Sequence, residues 1–261
     1  MSTAASLASR TYGTDGPPVA LLHGLLGQGK NLATAAAALA ARGYAVTTYD
    51  LPGHGRSPRV PSLDYEVLAG AVAAELRGPT AVVGHSMGGK TAMALALARP
   101  ELVSALVVVD IAPVAYGLDR GAEHDHHVRT LRAMDLSALA SRADADAALA
   151  AHVHDARVRG FLLQNLAREG DGWRWRADLD VLARDLPALG GFPDLPGPYE
   201  GPVLFLAGGD SSYVADAHRE RIGALFPHAR VVRIKGVGHW VHSEAPEVFV
   251  DAVGRFLDAS R

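Results

Sequence analysis

Thr80-Ala81-Val82-Val83-Gly84-His85-Ser86-Met87-Gly88 sets a G-x-S-x-G pentapeptide directly behind a short apolar run of β character. After it, an Ala/Leu-rich segment continues without a breaker to Pro100, so the pentapeptide falls at a strand-to-helix junction. In that setting the turn is tight, and the serine Oγ is exposed at the C-terminal edge of a sheet. The glycines serve close backbone packing that a Cβ would obstruct. The helix that follows aims its free N–H groups and positive dipole end at the same spot, which suits a developing oxyanion. Ser86 then needs a histidine, an acid and a second oxyanion donor from the rest of the chain.

The 261 residues suffice for one large α/β domain, or one domain with an insertion, and for a substantial core without metals or disulfides. There is no cysteine, hence no thiolate chemistry and no Cys-based metal site. A formal charge of −3 argues against a nucleic-acid partner, whose phosphates demand a basic face. Met1 to Arg10 carries neither a basic segment nor an apolar one, so no signal peptide is expected. No apolar run approaches the roughly 20 residues of a membrane span. The expectation is a cytoplasmic protein.

Strands and helices alternate through the first part of the chain. Leu7 to Tyr12 reads as a short edge strand, Val19 to Leu22 as a buried strand, Asn31 to Arg42 as a helix and Tyr44 to Tyr49 as a strand. Asp64 to Leu76 reads as a helix, and Leu102 to Val109 as the strand after the Ser86 helix. Such alternation implies a parallel sheet with right-handed crossovers. From about Tyr116 to Tyr199 it stops. Leu118 to Met134, Leu136 to Ala151 and Ala156 to Arg168 look helical, no good strand is found, and Pro187 to Pro198 is expected to be irregular. Strands resume at Pro202 to Ala207 and Ala229 to Ile234, with a helix around Ala215 to Phe226 between them and a last helix from about Pro246 to Leu257. The expected organisation is a core of residues 1–115 and 200–261, with residues 116–199 as a helical cap over the strand ends where ligands bind.

The base should come late, after the last strand. His239 in Gly236-Val237-Gly238-His239-Trp240 occupies such a loop and suits proton transfer from Ser86 to a leaving group. His242, three residues on, is its rival. Two acids compete. Asp110 follows the strand after the Ser86 helix, and Asp210 lies in Gly208-Gly209-Asp210-Ser211-Ser212-Tyr213-Val214 after the penultimate strand. The second loop usually holds the acid, but in its common Gly-x-x-Asp spacing the counterpart is Ser211. Asp110 is favoured, since a triad is defined by geometry, and Asp210 stays open as the alternative. The oxyanion donors are expected to be the amides of Met87, directly after the nucleophile, and of Leu25 in the loop after the Val19–Leu22 strand.

His23-Gly24, DLPGHGRS (50–57), GHSMGG and GVGHW together resemble the α/β-hydrolase superfamily over nearly the whole chain. More narrowly, GHSMGGKTAM (84–93), VVVDIAPV (107–114), WRWR (173–176), GGDSSYV (208–214) and GHWVHSEAP (238–246) resemble the YbfF-like esterase family. The resemblance implies an α/β-hydrolase fold, a mostly parallel sheet flanked by helices with an inserted cap, and a serine carboxylesterase with possible thioesterase activity on acyl-CoA. It carries over Ser86 and His239 and supports Asp110, because the family's acid sits in the DIAP motif. Where the family's GGNS loop has Asn, this chain has Asp210. No metal or organic cofactor is implied, and the partner is a small ester or acyl-CoA-like substrate.

Other signals carry less. Gly24 to Lys30 fits G-x-x-x-x-G-K, but Asn31 stands where a Ser or Thr must ligate Mg²⁺. Lys90 is four residues after Ser86, one too many for a Ser-x-x-Lys pair, and reads as a surface or supporting lysine. His124-Asp125-His126-His127 splays around a helix, even with His152 and His154 nearby. Trp173 and Trp175 alternate as in a strand or extended segment and are expected to anchor the cap, and one of them could line the acyl pocket. An Asp nucleophile is absent, which argues against dehalogenases and epoxide hydrolases. C–C bond hydrolases, perhydrolase or haloperoxidase-type enzymes, lyases and a weakly catalytic receptor remain alternatives.

Overall fold

The computed structural model describes residues 6–261, and for residues 118–121 the backbone alone. The expectation for the first five residues lies outside that range. A seven-stranded sheet has the order β1-β3-β2-β4-β5-β8-β9. Its strands are β1 (Ser9–Tyr12), β2 (Pro18–Leu22), β3 (Ala45–Tyr49), β4 (Thr80–His85), β5 (Val103–Val109), β8 (Val203–Gly208) and β9 (Ala229–Ile234). Only the edge strand β1 runs antiparallel to its neighbour, so the sheet is mostly parallel. Two further strands, β6 (Leu166–Glu169) and β7 (Gly172–Trp175), form a separate antiparallel hairpin.

The central strands are buried on both faces, as their continuous apolar sequence requires. Ala20, Leu22, Val82, Leu106, Val108 and Phe205 point to one face. There they meet helices α2 (Tyr65–Glu75), α3 (Met87–Ala98) and α8 (Arg219–Leu225). The alternate residues Val19, Leu21, Val83, Val107 and Leu206 face the other side. They pack on α1 (Ala33–Ala41), the short α9 (Val241–Glu244) and α10 (Pro246–Ala259). Each fully buried Leu or Phe in these layers stabilises the fold by about 1.5–3 kcal/mol relative to exposure. Strand order reverses around β2: β3 lies on one side of it and β4 on the other. Ligands bind at such a switch point, beyond the carboxyl ends of the strands.

Between β5 and β8 the chain forms helices α4 (Leu118–Ala133), α5 (Arg142–Ala150), α6 (Ala156–Leu163) and α7 (Leu179–Gly190), with the β6–β7 hairpin between the last two. Val128, Leu131, Leu149, Leu162, Leu182 and Leu189 join the same apolar cluster as the β4–β5 face. The hairpin is a departure from the expected absence of strands here. The Trp173/Trp175 alternation falls in β7, whereas β6 takes the end of the stretch read as a helix to Arg168, and Gly170, at φ 58°, makes the turn. Leu136 to Ala151 is likewise two pieces. Asp135 caps a short 3-10 turn, and a Ser141–Asp144 capping box then starts α5. Helix α7 runs through Pro187 to Gly190, further than its Gly/Pro content suggested. Among the described residues no helix is long and apolar enough to cross a membrane.

Candidate active site

Ser86 sits where β4 turns into α3, at φ 54° and ψ −118°. That backbone position is costly for a residue with a Cβ and persists only when its surroundings enforce it. They do. A Cβ on Gly84 would lie 2.1 Å from the Gly88 carbonyl oxygen, and one on Gly88 would lie 2.5 Å from the oxygens of Leu22 and His23. The Ser86 N–H donates to the Val109 carbonyl at 3.0 Å, which ties the elbow to the end of β5. Met87, the first residue of α3, leaves its N–H without a hydrogen-bond partner among the described residues.

The turn after β2 provides a second amide, that of Leu25, which has no hydrogen-bond partner among the described residues. It lies within a turn closed by the Gly27 N–H on the Gly24 carbonyl at 2.9 Å. His23 fixes this turn from below. Its Nε2 accepts from the Leu51 N–H at 2.9 Å, so its Nδ1 carries the proton and donates to the Gly24 carbonyl at 2.8 Å. Burial, reinforced by neighbouring His54, lowers the His23 pKa to about 3 and keeps this tautomer neutral.

Asp110, the residue after β5, is fully buried and also left-handed, at φ 52°. Its N–H donates to the Leu206 carbonyl at 3.0 Å. Its Oδ1 accepts from the Gly208 N–H at 2.9 Å, and its Oδ2 lies 2.7 Å from His239 Nδ1. The Ser211 hydroxyl donates to that same Oδ2. Three donors thus surround the carboxylate and set its plane. Asp210, one residue before Ser211, is exposed, and its side chain makes no hydrogen bond or ion pair among the described residues. Of the two acids, the geometry brings Asp110 to His239.

His239 emerges from the loop after β9. Its ring stacks on Tyr213 at a centroid distance of 4.2 Å, and its carbonyl accepts from His85 Nε2 at 3.0 Å. With Nδ1–H turned to Asp110, Nε2 is the ring nitrogen left for a substrate-side partner. His85 and His242 pack beside it, the two rings 4.7 Å apart. Burial holds His85 well below the usual histidine range, with the charges of His242 and His239 adding to the effect. Burial and then His239 lower the His242 pKa to about 4. Both are neutral packing partners.

Lys90 is not a surface residue. It is 1% exposed, and its Nζ donates to the carbonyls of Val114 (2.9 Å), Gly190 (3.0 Å) and Gly191 (2.5 Å). The lysine therefore joins the elbow helix to the end of α7. Burial lowers its pKa to about 7. Asn31 accepts from the Gln28 N–H and donates to Gln164 of the insertion, both at 2.6 Å. Trp173 donates to the Leu139 carbonyl at 3.0 Å and fixes the hairpin. Neither Trp173 nor Trp175 lines a cavity at the site; Trp240 does. His126 spends a ring nitrogen on the His152 carbonyl, and Asp125 pairs with Arg129.

Two chambers meet at Leu25, Ser86 and Tyr213. The larger, of about 1100 Å³, also holds His239 and is lined by polar side chains including Lys30, Asn31 and Gln164. The smaller, of about 670 Å³, is walled by apolar groups such as Ile111, Ala183, Leu186 and Leu189. The sequence had given no account of Ser211 or Tyr213 as parts of the site, and it had left Lys90 between a surface and a supporting role. Only Ser211 left a trace, as the residue standing where the common spacing puts the acid.

A strand-end serine on a doubly covered parallel sheet defines the class, and the chain belongs to the alpha/beta hydrolase family, whose sequence model matches residues 19–252. Its relatives within that family include esterases and lipases. It is 42% identical over 254 residues to the sn-1-specific diacylglycerol lipase ABHD11 of Mus musculus, spanning 92% of this chain and 81% of that protein. It is 35% identical to esterase YbfF of Escherichia coli, spanning 92% of this chain and 93% of that protein. A solved marine microorganism esterase superposes with a TM-score of 0.93 at 32% identity, covering 96% of this chain and 99% of that one. The chain is an esterase/lipase-type α/β-hydrolase.

Proposed function

We propose that the protein is a serine carboxylesterase, with thioesterase capacity, that works through an acyl-Ser86 intermediate. The observation that carries the reading is the 2.7 Å contact of His239 Nδ1 with a buried, three-donor Asp110 carboxylate, beside a Ser86 held at φ 54° on the rim of both chambers. Ser86 Oγ attacks the substrate carbonyl while His239 Nε2 takes its proton. The oxyanion rests on the Leu25 and Met87 amides. His239 then returns the proton to the departing oxygen or sulfur. Water, deprotonated by the same nitrogen, attacks the acyl-serine and releases the acid. Asp110 orients His239 and stabilises its cationic form.

Residues 116–199 act as the cap over this site. The apolar chamber suits the acyl chain, and the polar chamber suits the alcohol or thiol. Hydrolysis of p-nitrophenyl esters of graded chain length tests the reading. Wild type should turn them over, and Ser86→Ala should lose roughly 10⁴-fold or more. Equal rates for the two would sink the acyl-serine mechanism, and an inert wild type would bring a C–C hydrolase or lyase forward.

A further inference from the structure

Leu26 is left-handed like Ser86 and Asp110, at φ 57°, yet the chemistry at Ser86 gives it no task. It stands third in the Gly24–Gly27 turn, which the Gly27 N–H closes on the Gly24 carbonyl at 2.9 Å. A positive φ at that position normally selects Gly or Asn, so a leucine there must be held by its surroundings. Part of the hold is apolar: Leu26 is buried in the cluster that includes Leu162, Leu163 and Leu166 of the insertion. The other part is polar. The Leu26 carbonyl accepts from Asn165 Nδ2 at 2.7 Å, across 139 residues of chain.

Asn165 is fully buried, in the corner between α6 and β6. Its own N–H donates to the Leu162 carbonyl at 3.1 Å, and its carbonyl accepts from the Arg176 N–H at 2.8 Å, so helix and hairpin together fix its place. Nδ2 also donates to the Leu162 carbonyl at 3.2 Å, and Oδ1 faces Gln28 Nε2 at 3.5 Å. Both partners of Nδ2 are carbonyls, which only accept, so the orientation of the side-chain amide is determined. Gln28 Nε2 donates in turn to the Gln164 carbonyl at 3.0 Å. The loop after β2 is thus docked on the insertion through buried polar contacts.

Two peptide groups carry this contact to the nucleophile. The Leu26 C=O and the Gly27 N–H belong to one peptide; the Gly24 C=O, on which that N–H closes, and the Leu25 N–H belong to another. An unbroken series therefore runs from Asn165 Nδ2–H through the Leu26 C=O, the Gly27 N–H and the Gly24 C=O to the Leu25 N–H. Each peptide is planar and stiff, so fixing the first constrains the aim of the last, and hydrogen bonds in series polarise one another. The last peptide abuts the nucleophile: a Cβ on Gly24 would lie 3.3 Å from Ser86 Cβ. We propose that Asn165 is a positioning residue for the oxyanion hole, holding the Leu25 amide in register with Ser86 from within the insertion. This rests on the acyl-serine reading, in which that amide receives the oxyanion. The insertion then completes the reactive geometry as well as covering it.

Asn165→Ala and Asn165→Asp, compared with wild type on p-nitrophenyl octanoate, test this, with rates taken per Ser86 titrated by a fluorophosphonate so that only folded enzyme counts. Deleting an oxyanion donor costs about 10²–10³-fold, and displacing one should cost roughly ten- to a hundredfold in kcat, with KM within about threefold. Asn165→Asp keeps the shape but turns an acceptor toward two carbonyls, and should lose at least as much. Two inhibitors of equal chain length separate positioning from packing. Octyl trifluoromethyl ketone adds to Ser86 and places an oxyanion in the hole, whereas octyl methyl ketone reads ground-state binding. Both variants should lose affinity for the first by about the same factor as kcat and keep that for the second. An asparagine that only stabilises the fold would lower the melting temperature and leave the ratio of the two affinities unchanged, which overturns the proposal, as does a loss confined to KM. Should neither variant yield titratable enzyme, Asn165→Ser, which keeps a donor on a shorter side chain, carries the same comparison with a smaller expected loss. An active wild type with unaffected variants overturns this inference alone. A wild type that neither hydrolyses the ester nor binds the trifluoromethyl ketone overturns the acyl-serine reading, and the inference with it.

Discussion

The strand ends and the insertion above them are built on different principles. Among the described residues, the non-glycine positions with left-handed φ are Leu26 (57°), Ser86 (54°) and Asp110 (52°). All three lie in the segments that leave β2, β4 and β5. There the backbone is strained, buried and cross-tied by main-chain hydrogen bonds. In the insertion, contacts between elements often rest on exposed ion pairs, such as Arg132 of α4 with Asp180 of α7 at 2.6 Å. Strain persists where surroundings over-determine a position. Exposed pairs can be exchanged at small cost. The geometry at Ser86 and Asp110 is thus fixed by the sheet, whereas the exposed surface of the insertion can be altered with little effect on the fold.

The largest effect that would break this contrast concerns the two acids. Asp110→Asn keeps the shape but removes the charge that supports a protonated His239, so kcat/KM on a p-nitrophenyl ester should fall by roughly 10⁴-fold. Asp210→Asn, at an exposed side chain without partners, should stay within about twofold, as surface changes do. A reversal of that order would move the acid one loop along. Ser211→Ala comes next. It removes one of three donors to Asp110, and a hydrogen bond to a charged group contributes about 1.5–3 kcal/mol. A kcat loss of roughly ten- to a hundredfold should follow, with KM little changed. A purely structural role would instead lower stability and leave kcat intact.

The legibility of the sequence followed the same divide. Gly84, Ser86 and Gly88 could be read because the elbow permits almost no other residues, as the 2.1 Å and 2.5 Å approaches make plain. The strand-helix alternation was equally readable, since long buried strands must be continuously apolar. Asp110 could be favoured over Asp210 but not separated from it, because both follow strands on the same side of the sheet. Only the packing of β8 against β5 decides which carboxylate His239 meets. In the insertion the signal weakened. Of the hairpin only the Trp173/Trp175 alternation could be read, and α7 keeps Pro187 inside it because tertiary packing of Leu182 and Leu189 outweighs local propensity. Lys90 was left between a surface and a supporting role because a lysine in an Ala/Leu helix looks solvated until three carbonyls are found around it.

Lys90 also links the two regions and sharpens the contrast through pH. Its pKa of about 7 in the fold stands against 10.5 in an unfolded chain. Between those values the unfolded state binds more protons, so stability should rise with pH from about 7 toward 10, by at most about 1.4 kcal/mol per unit. Urea midpoints measured across that range should climb more steeply for wild type than for Lys90→Met. Parallel curves would mean that the three carbonyls and the Tyr116 ring, 4.8 Å from Nζ, hold the ammonium charged in the fold.

Arg132→Ala probes the opposite end of the scale. The arginine and Asp180 are 57% and 75% exposed, and such a pair contributes about 0.2–1 kcal/mol, less at high salt. For a chain of this size that corresponds to a melting shift of no more than roughly 4 °C. The shift should shrink in molar salt, with ester hydrolysis nearly unchanged, because the apolar contacts of Val128 and Leu131 hold α4 in the shared core. A larger loss that persists in salt would show that α4 is positioned over Ser86 by this pair. The insertion would then share the rigidity of the strand ends, and the division between them would fail.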